Sequence, residues 1–315
     1  MSIQNARDAL TPDALAMLLA IAESGSFAAA ARSLGLVPSA LTYRVRQIED
    51  ALDVLLFDRS SRQARLTEAG AELMREGGRL LHEIDAVANR VRRVATGWEP
   101  QFTLAVDSVI SRATMMDLCE SFYATAPPTR LKIREEVLSG TLEALGSGQA
   151  DLAIGVAAEG AAVRDIQSKP MGQMRFIYAV APHHPLAQAE EPLADALLQQ
   201  HRAVAVADTG QRGRVTLGLL GGQDVLTVPT MRAKLEAQLR GLGGGFLPES
   251  LARPYVDTGR LVERRVQRPD RVIVVSYAWR EQGTGQGQGR ALKWWLQQLE
   301  SPKTRAALLH AQQHN

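Results

Sequence analysis

Residues 67–95 constrain what this chain can become. Leu73, Leu80, Ile84, Val87, Val91 and Val94 recur there at intervals of 7, 4, 3, 4 and 3, the seam spacing of a coiled coil. A single helix cannot bury such a stripe. It needs a partner, and the simplest partner is a second copy of the chain. Thr96-Gly97 ends this helix and separates a short leading part from a longer trailing one. That division suits 315 residues, enough for roughly two domains of about 150 each.

The leading part reads as helices joined by tight turns. Thr11 can cap, Pro12 suits the first helical position, and Leu15, Leu18 and Ala22 follow at helical spacing. Gly25-Ser26 breaks that helix, and Ser26 can cap a second over Phe27–Leu34, whose row Ala28 to Ala31 lets a neighbour come close. Gly35 ends it, and Pro38 opens a third helix running to about Leu52. At about 100° per residue, Leu41, Val45, Ile48 and Leu52 of that helix form one stripe. Ser39, Thr42, Tyr43 and Arg46 fall roughly opposite. Such a polar face on the second helix of a short-turn pair is what a DNA major groove requires, although any solvated helix shows one too. The next segment adds weight to the groove. A short hairpin-like stretch follows, and from Arg59 to Arg65 it carries Arg59, Arg62 and Arg65 with no acid. A basic wing of this kind contacts phosphates, which positions a helix without reading sequence.

From Phe102 strands alternate with helices. FTLAV (102–106), LKIREEV (131–137) and DLAIGV (151–156), with helices through 115–123 and 141–145 between them, predict a βαβαβ run and a parallel sheet covered by helices. FIYAVA (176–181), RAVAVA (202–207) and DVLTV (224–228), with a helix over 231–239, predict a second such unit. VIVVSYAW (272–279) and a helix over 290–299 close the pattern. Two small α/β lobes joined by chain crossings suggest a clamshell with a ligand cleft.

The charge balance, +2 overall, matters less than where the charges sit. No apolar run approaches the ~18 residues of a membrane span, and MSIQNARDALTPD lacks an apolar signal core. The expectation is a cytoplasmic protein with no membrane partner. Cys119 is the single cysteine, which excludes a disulfide framework, and its spacing from Met115, Met116 and Phe122 reads as core. GTGQGQG (283–289) lies between a strand and a helix, but its glycines miss the dinucleotide spacing and no acid follows about 20 residues on. The six histidines show no metalloprotease pattern, and His183-His184 reads as a loop before Pro185. No cofactor, metal or catalytic residue is expected.

The run AAARSLGLVPSALTYRVRQIEDALDVLLFDRSSRQARLTEAG resembles the N-terminal signature of LysR-type transcriptional regulators. EEVLSGTLEALGSGQADLAIG, HPLA at 184–187 and LRGLGGGFLPESLA resemble their effector-binding domain, itself similar to periplasmic solute-binding folds. Two positions depart from the pattern. Pro38 stands where the family has a polar residue, so the reading of bases falls to Ser39, Thr42 and Tyr43. Asp53 replaces a glycine, and it tolerates left-handed backbone better than most residues.

The resemblance implies an all-α winged helix-turn-helix over 1–66, a linker and dimerisation helix over 67–97, and a two-lobed α/β effector domain over 98–315. Its first lobe would take about 98–165 and 266–301, its second about 166–265. It implies a regulator that binds double-stranded DNA, assembles as dimers or tetramers of itself, meets RNA polymerase, and responds to a small effector. Asp107, Ser108, Ser139, Thr141, Thr209 and Phe246 lie in the segments that match the family's cleft. Hydroxyls and free amides there would suit a carboxylate. Asp107 would repel one, so it either points away or accepts from hydroxyl or amino groups of the ligand. A hydroxylated effector, aromatic or sugar-like, with or without a carboxylate, fits that set. The alternative is a solute-binding or enzymatic α/β protein without DNA function. It would need an export signal or a catalytic constellation, and the residues offer neither.

Overall fold

The computed structural model describes residues 3–58, 64–125, 127–157, 165–210, 218–269, 271–280 and 288–310. The chain forms two compact units, Met1–Val91 and Arg92–Asn315.

The first unit holds α1 (Ile3–Ala9), α2 (Pro12–Ser24), α3 (Phe27–Ser33), α4 (Pro38–Leu52), the short strands β1 (Phe57–Asp58) and β2 (Arg65–Leu66), and α5 (Glu68–Thr96), whose last turn passes into the second unit. The boundaries follow from local chemistry. Thr11 accepts a hydrogen bond from the Ala14 amide at 3.2 Å and caps α2. Ser26 does the same for Ala29 at 3.5 Å and caps α3. Each such cap contributes about 1 kcal/mol. Gly25 ends α2 with φ 62°, and Asp53 ends α4 with φ 56°, the left-handed position that the sequence assigned to it. Ala30 and Ala31 are fully buried, so α3 lies close to its neighbours around Leu18, Ile21, Leu41, Val45 and Ile48. β1 and β2 pair antiparallel, Phe57 opposite Leu66.

The second unit runs β3 (Gln101–Asp107), α6 (Arg112–Tyr123), β4 (Arg130–Glu136), α7 (Ser139–Gly146), β5 (Leu152–Ala157), β6 (Ile166–Val180), α8 (Asp195–Gln199), β7 (Ala203–Val206), β8 (Val225–Val228), α9 (Met231–Leu239), β9 (Gly245–Pro248), α10 (Glu249–Asp257), β10 (Val262–Arg264), β11 (Arg271–Arg280), α11 (Arg290–Glu300) and α12 (Pro302–Leu309). β3 pairs in parallel with both β4 and β5, the βαβαβ run expected from the sequence. Its core gathers Phe102, Leu104, Phe122, Leu152, Tyr277 and the fully buried Trp295.

The second βαβ unit needs correction. FIYAVA is the end of a 15-residue strand, β6, which pairs antiparallel with β11, β9 and β10 in the main sheet. Only β7 and β8 form the expected parallel pair. They join the rest through one bridge, Ala203 to Gly244. The first ten residues of β6, IQSKPMGQMR, are half polar and hold Pro170 and Gly172, which hides a strand from a pattern search.

Candidate DNA-binding face and effector site

α4 packs Leu41, Val45, Ile48 and Ala51 into the first core and turns its other side outward. Ser39, Tyr43 and Arg46 are exposed and Thr42 is partly so. The Tyr43 hydroxyl accepts from Gln47 Nε2 at 3.1 Å, and the Thr42 hydroxyl donates to the Pro38 carbonyl at 2.9 Å. Thr42 therefore offers its lone pairs and methyl group outward, while its proton is used within the helix. Arg65 is exposed on β2, whereas Arg59 and Arg62 lie outside the described residues.

Glu49 was missed in the sequence. It sits beside the apolar stripe, only 4% exposed, and its carboxylate accepts from the Leu56 amide at 2.8 Å and the Phe57 amide at 3.4 Å. The α4 helix and the start of the wing are thus joined by one buried acceptor. Gly70 completes the joint, because a Cβ there would overlap the Leu56 carbonyl.

Along α5 the stripe divides. Leu73 packs against the first core, which corrects its place in the seam. Leu80, Ile84, Val87, Val91 and Val94 remain exposed. Leu80, Ile84 and Val87 form, with Leu10, Pro12 and Leu15, a groove of about 470 Å³. Gly77 lets the helix approach Leu15 closely enough to build its floor.

In the second unit, Asp107 ends β3 and is 6% exposed. It points inward, accepting from the Val109 amide (3.0 Å), the Leu138 amide (2.9 Å) and the Thr141 hydroxyl (3.4 Å). Burial pushes its carboxyl up to about 7, against the pull of those hydrogen bonds and with a small push from Asp208. Ser139 opens α7 and donates its hydroxyl to Asp208 at 2.8 Å, while its amide donates to the same carboxylate at 3.1 Å. Thr209 donates to Glu136 at 2.7 Å and accepts from the Val137 amide at 3.0 Å. The Ser108 amide bonds the Glu136 carbonyl at 2.9 Å, and its hydroxyl oxygen is buried without a partner.

The structure thus brings Asp107, Ser108, Ser139, Thr141 and Thr209 together. It also corrects their chemistry. Most of the hydroxyls are engaged, and the helix start expected to receive an anion already faces the chain's own Asp208. Phe246 belongs to a different surface, with its ring edge-on to Tyr178 at 5.4 Å.

Other sequence motifs end in structural roles. Glu99 occupies the start of α11, accepting from the Ala291 amide at 2.9 Å and the Leu292 amide at 3.3 Å. That leaves no free amides for a dinucleotide phosphate at this helix. His184 accepts from the Leu186 amide at 3.2 Å. Among the described residues no three His, Cys, Asp or Glu side chains gather as a metal site, and no helix is long and apolar enough to cross a membrane.

Comparison with known families places both units. Residues 12–71 match the model of the bacterial regulatory helix-turn-helix protein, lysR family. Residues 95–301 match the LysR substrate binding domain. The chain belongs to the LysR family. Like other LysR-type proteins it is a DNA-binding transcriptional regulator with an effector-binding domain, not an enzyme. YeeY of Escherichia coli (strain K12), an uncharacterized HTH-type transcriptional regulator, is 36% identical over 288 residues, covering 91% of this chain and 92% of YeeY. Full-length CbnR complexed with its target DNA shares the fold at TM-score 0.57 and 18% identity, covering 92% of this chain and 99% of CbnR. Full-length LysG of Corynebacterium glutamicum, with bound effector Arg, shares it at TM-score 0.50 and 24% identity, covering 95% and 99%. LysR-type regulators bind DNA and small-molecule effectors and form oligomers.

Proposed function

We propose that this LysR-type regulator reads its promoter sites with the outward face of α4. Ser39, Thr42, Tyr43 and Arg46 touch base edges, while Arg59, Arg62 and Arg65 hold phosphates. The observation that carries this is the division of α4 into a buried apolar side, held to the wing by Glu49, and an exposed polar side. The units follow the bounds 1–66, 67–97 and 98–315. A second copy covers Leu80, Ile84, Val87, Val91 and Val94, so that two recognition helices reach successive major grooves of a near-palindromic site. The protein works in the cytoplasm, where it changes the bend of its DNA or the approach of RNA polymerase.

Its effector is a small hydroxylated molecule bound beside Ser108, Ser139, Thr141 and Thr209. The support is a set of hydroxyls and carboxylates that now bond one another and can exchange those bonds for a ligand's. A ligand that also bears a carboxylate must displace Asp208 from the start of α7. Such a ligand shifts the populations of two arrangements of the regulator.

Genome-wide mapping of bound DNA tests the first half, with near-palindromic sites that vanish in Arg46→Ala as the expected result. Calorimetry of the full chain against phenols, sugars, amines and carboxylates tests the second. Binding that survives both Asp107→Ala and Thr141→Val unchanged would place the effector elsewhere.

A further inference from the structure

A second polar cluster lies apart from the ring at α7, beneath β9. Lys234 stands in the first turns of α9, is only 7% exposed, and lines a cavity of about 20 Å³ shared with Tyr178, Phe246 and Arg268. Its ammonium makes no hydrogen bond or ion pair among the described residues. One turn further on, Gln238 is fully buried, and neither its amide nitrogen nor its amide oxygen has a partner. Gly245 makes room for both, since a Cβ there would press on Gln238 Nε2 at 2.9 Å and Lys234 Cε at 3.2 Å. Gly244 makes room for the Tyr178 hydroxyl in the same way. Two adjacent glycines therefore admit an ammonium and a phenol to one small space, with the buried Gln238 amide packed behind it.

Among the described residues the lining of that space carries two cations, Lys234 and Arg268, and no acid. Arg268 is already paired with Asp195 of α8 at 2.8 Å. Arg271 of β11 lies over the rings of Phe176 and Phe246 and adds positive charge. β6 carries Lys169, Arg175 and Tyr178, of which Tyr178 lines the cavity, and β7, β8 and β9 carry no ionisable side chain at all. A buried ammonium without a counter-charge is costly, and unpaired amide atoms add to the cost. A cavity of this size holds about one water molecule or one ion of similar dimensions. We infer that it is the seat of one small monovalent anion, a halide ion or the carboxylate head of a short acid, paired with Lys234 and hydrogen-bonded by Tyr178. This site is independent of the effector reading above and uses none of its ring residues.

Burial, with a further push from Arg271, lowers the Lys234 ammonium from its ordinary range to about 7. The anion needs the protonated amine. Its affinity should therefore fall as pH rises through 7, being about tenfold tighter at pH 6 than at pH 8. The experiment is a thermal-shift titration of the full chain with bromide, formate and acetate, in halide-free buffer of fixed ionic strength at both pH values. Saturable stabilisation at pH 6, weakened at pH 8 and lost in Lys234→Met, is the expected result. Bromide acting alone identifies an inorganic ion, and formate or acetate a carboxylate head. Tyr178→Phe keeps the lysine and should weaken binding severalfold, which preserves the test should Lys234→Met fail to fold. Absence of saturable stabilisation by all three probes, equal affinity at the two pH values, or an unchanged midpoint in either variant overturns the assignment.

Discussion

Above neutral pH the fold must keep the Asp107 carboxylate ionised where only 6% of the residue meets water. Its carboxyl, ordinarily near 3.8, sits at about 7 in the fold. Between those values the folded chain keeps a proton that the unfolded chain has released, so this residue's contribution to stability falls as pH rises from 4 to 7. Asp107→Asn removes that dependence and loses one acceptor. Melting curves should show the variant less stable by about 1 kcal/mol at pH 5. At pH 8 it should be the more stable, by roughly 2 kcal/mol at most. Parallel profiles would mean that the carboxylate ionises there without cost. On α4 the expected outcomes separate two kinds of contact. Thr42→Ala should relax base preference by roughly 1–3 kcal/mol. Arg65→Ala should weaken every sequence alike and flatten the salt dependence. Anisotropy titrations on matched and scrambled duplexes at several salt concentrations distinguish them, and a Thr42→Ala protein with unchanged preference would mean another face reads the bases.

The elements differ in how openly their sequence declares them. Caps at Thr11 and Ser26, a proline at the start of α4 and an apolar stripe behind it are local signals, and they set the ends of α2, α3 and α4 to within a residue. The wing's anchor was not legible. Glu49 looks like one more surface charge until its distant partners, the Leu56 and Phe57 amides, fold back onto it. The ring at α7 was legible as a set of positions but not as a bonding pattern. Ser139 meets Asp208, and Thr209 meets Glu136, across some seventy residues of chain that no local spacing connects. Two predictions belong here. Glu49→Ala leaves two buried amides without an acceptor, which costs about 1–3 kcal/mol. Hydrogen exchange at Leu56 and Phe57 should speed up before the rest of the unit does, and uniform protection would deny Glu49 its role. On α5, Ile84→Asp with Val91→Asp sets charges in the exposed stripe, and a charge buried against a second copy costs more than the packing it replaces. Sedimentation should then show smaller assemblies. An unchanged oligomer would mean that this stripe is covered by something other than a second copy.

At the scale of the molecule, DNA and effector must answer to each other. If an effector changes DNA affinity by some factor, DNA changes effector affinity by the same factor, typically about 5–150-fold. Calorimetry of the effector with and without a bound operator should return that equality, and a one-sided effect would mean that the ligand acts on a step other than binding. How far the second unit can move is set by its longest strands. β6 and β11 pair along ten residues of each, and β6 then carries on to hold β9 and β10, while β11 also holds β5. The two ends of this sheet are therefore not separate plates on a loose hinge. They are the ends of one laminated pair of strands, with its register slipping at Val275/Ser276 and that of β11 on β5 slipping at Ser276/Tyr277. Rocking one end against the other has to flex that laminate at its slipped joint, as a leaf spring flexes. The stroke is short, the restoring force is built in, and a ligand working against it delivers a twist instead of a swing.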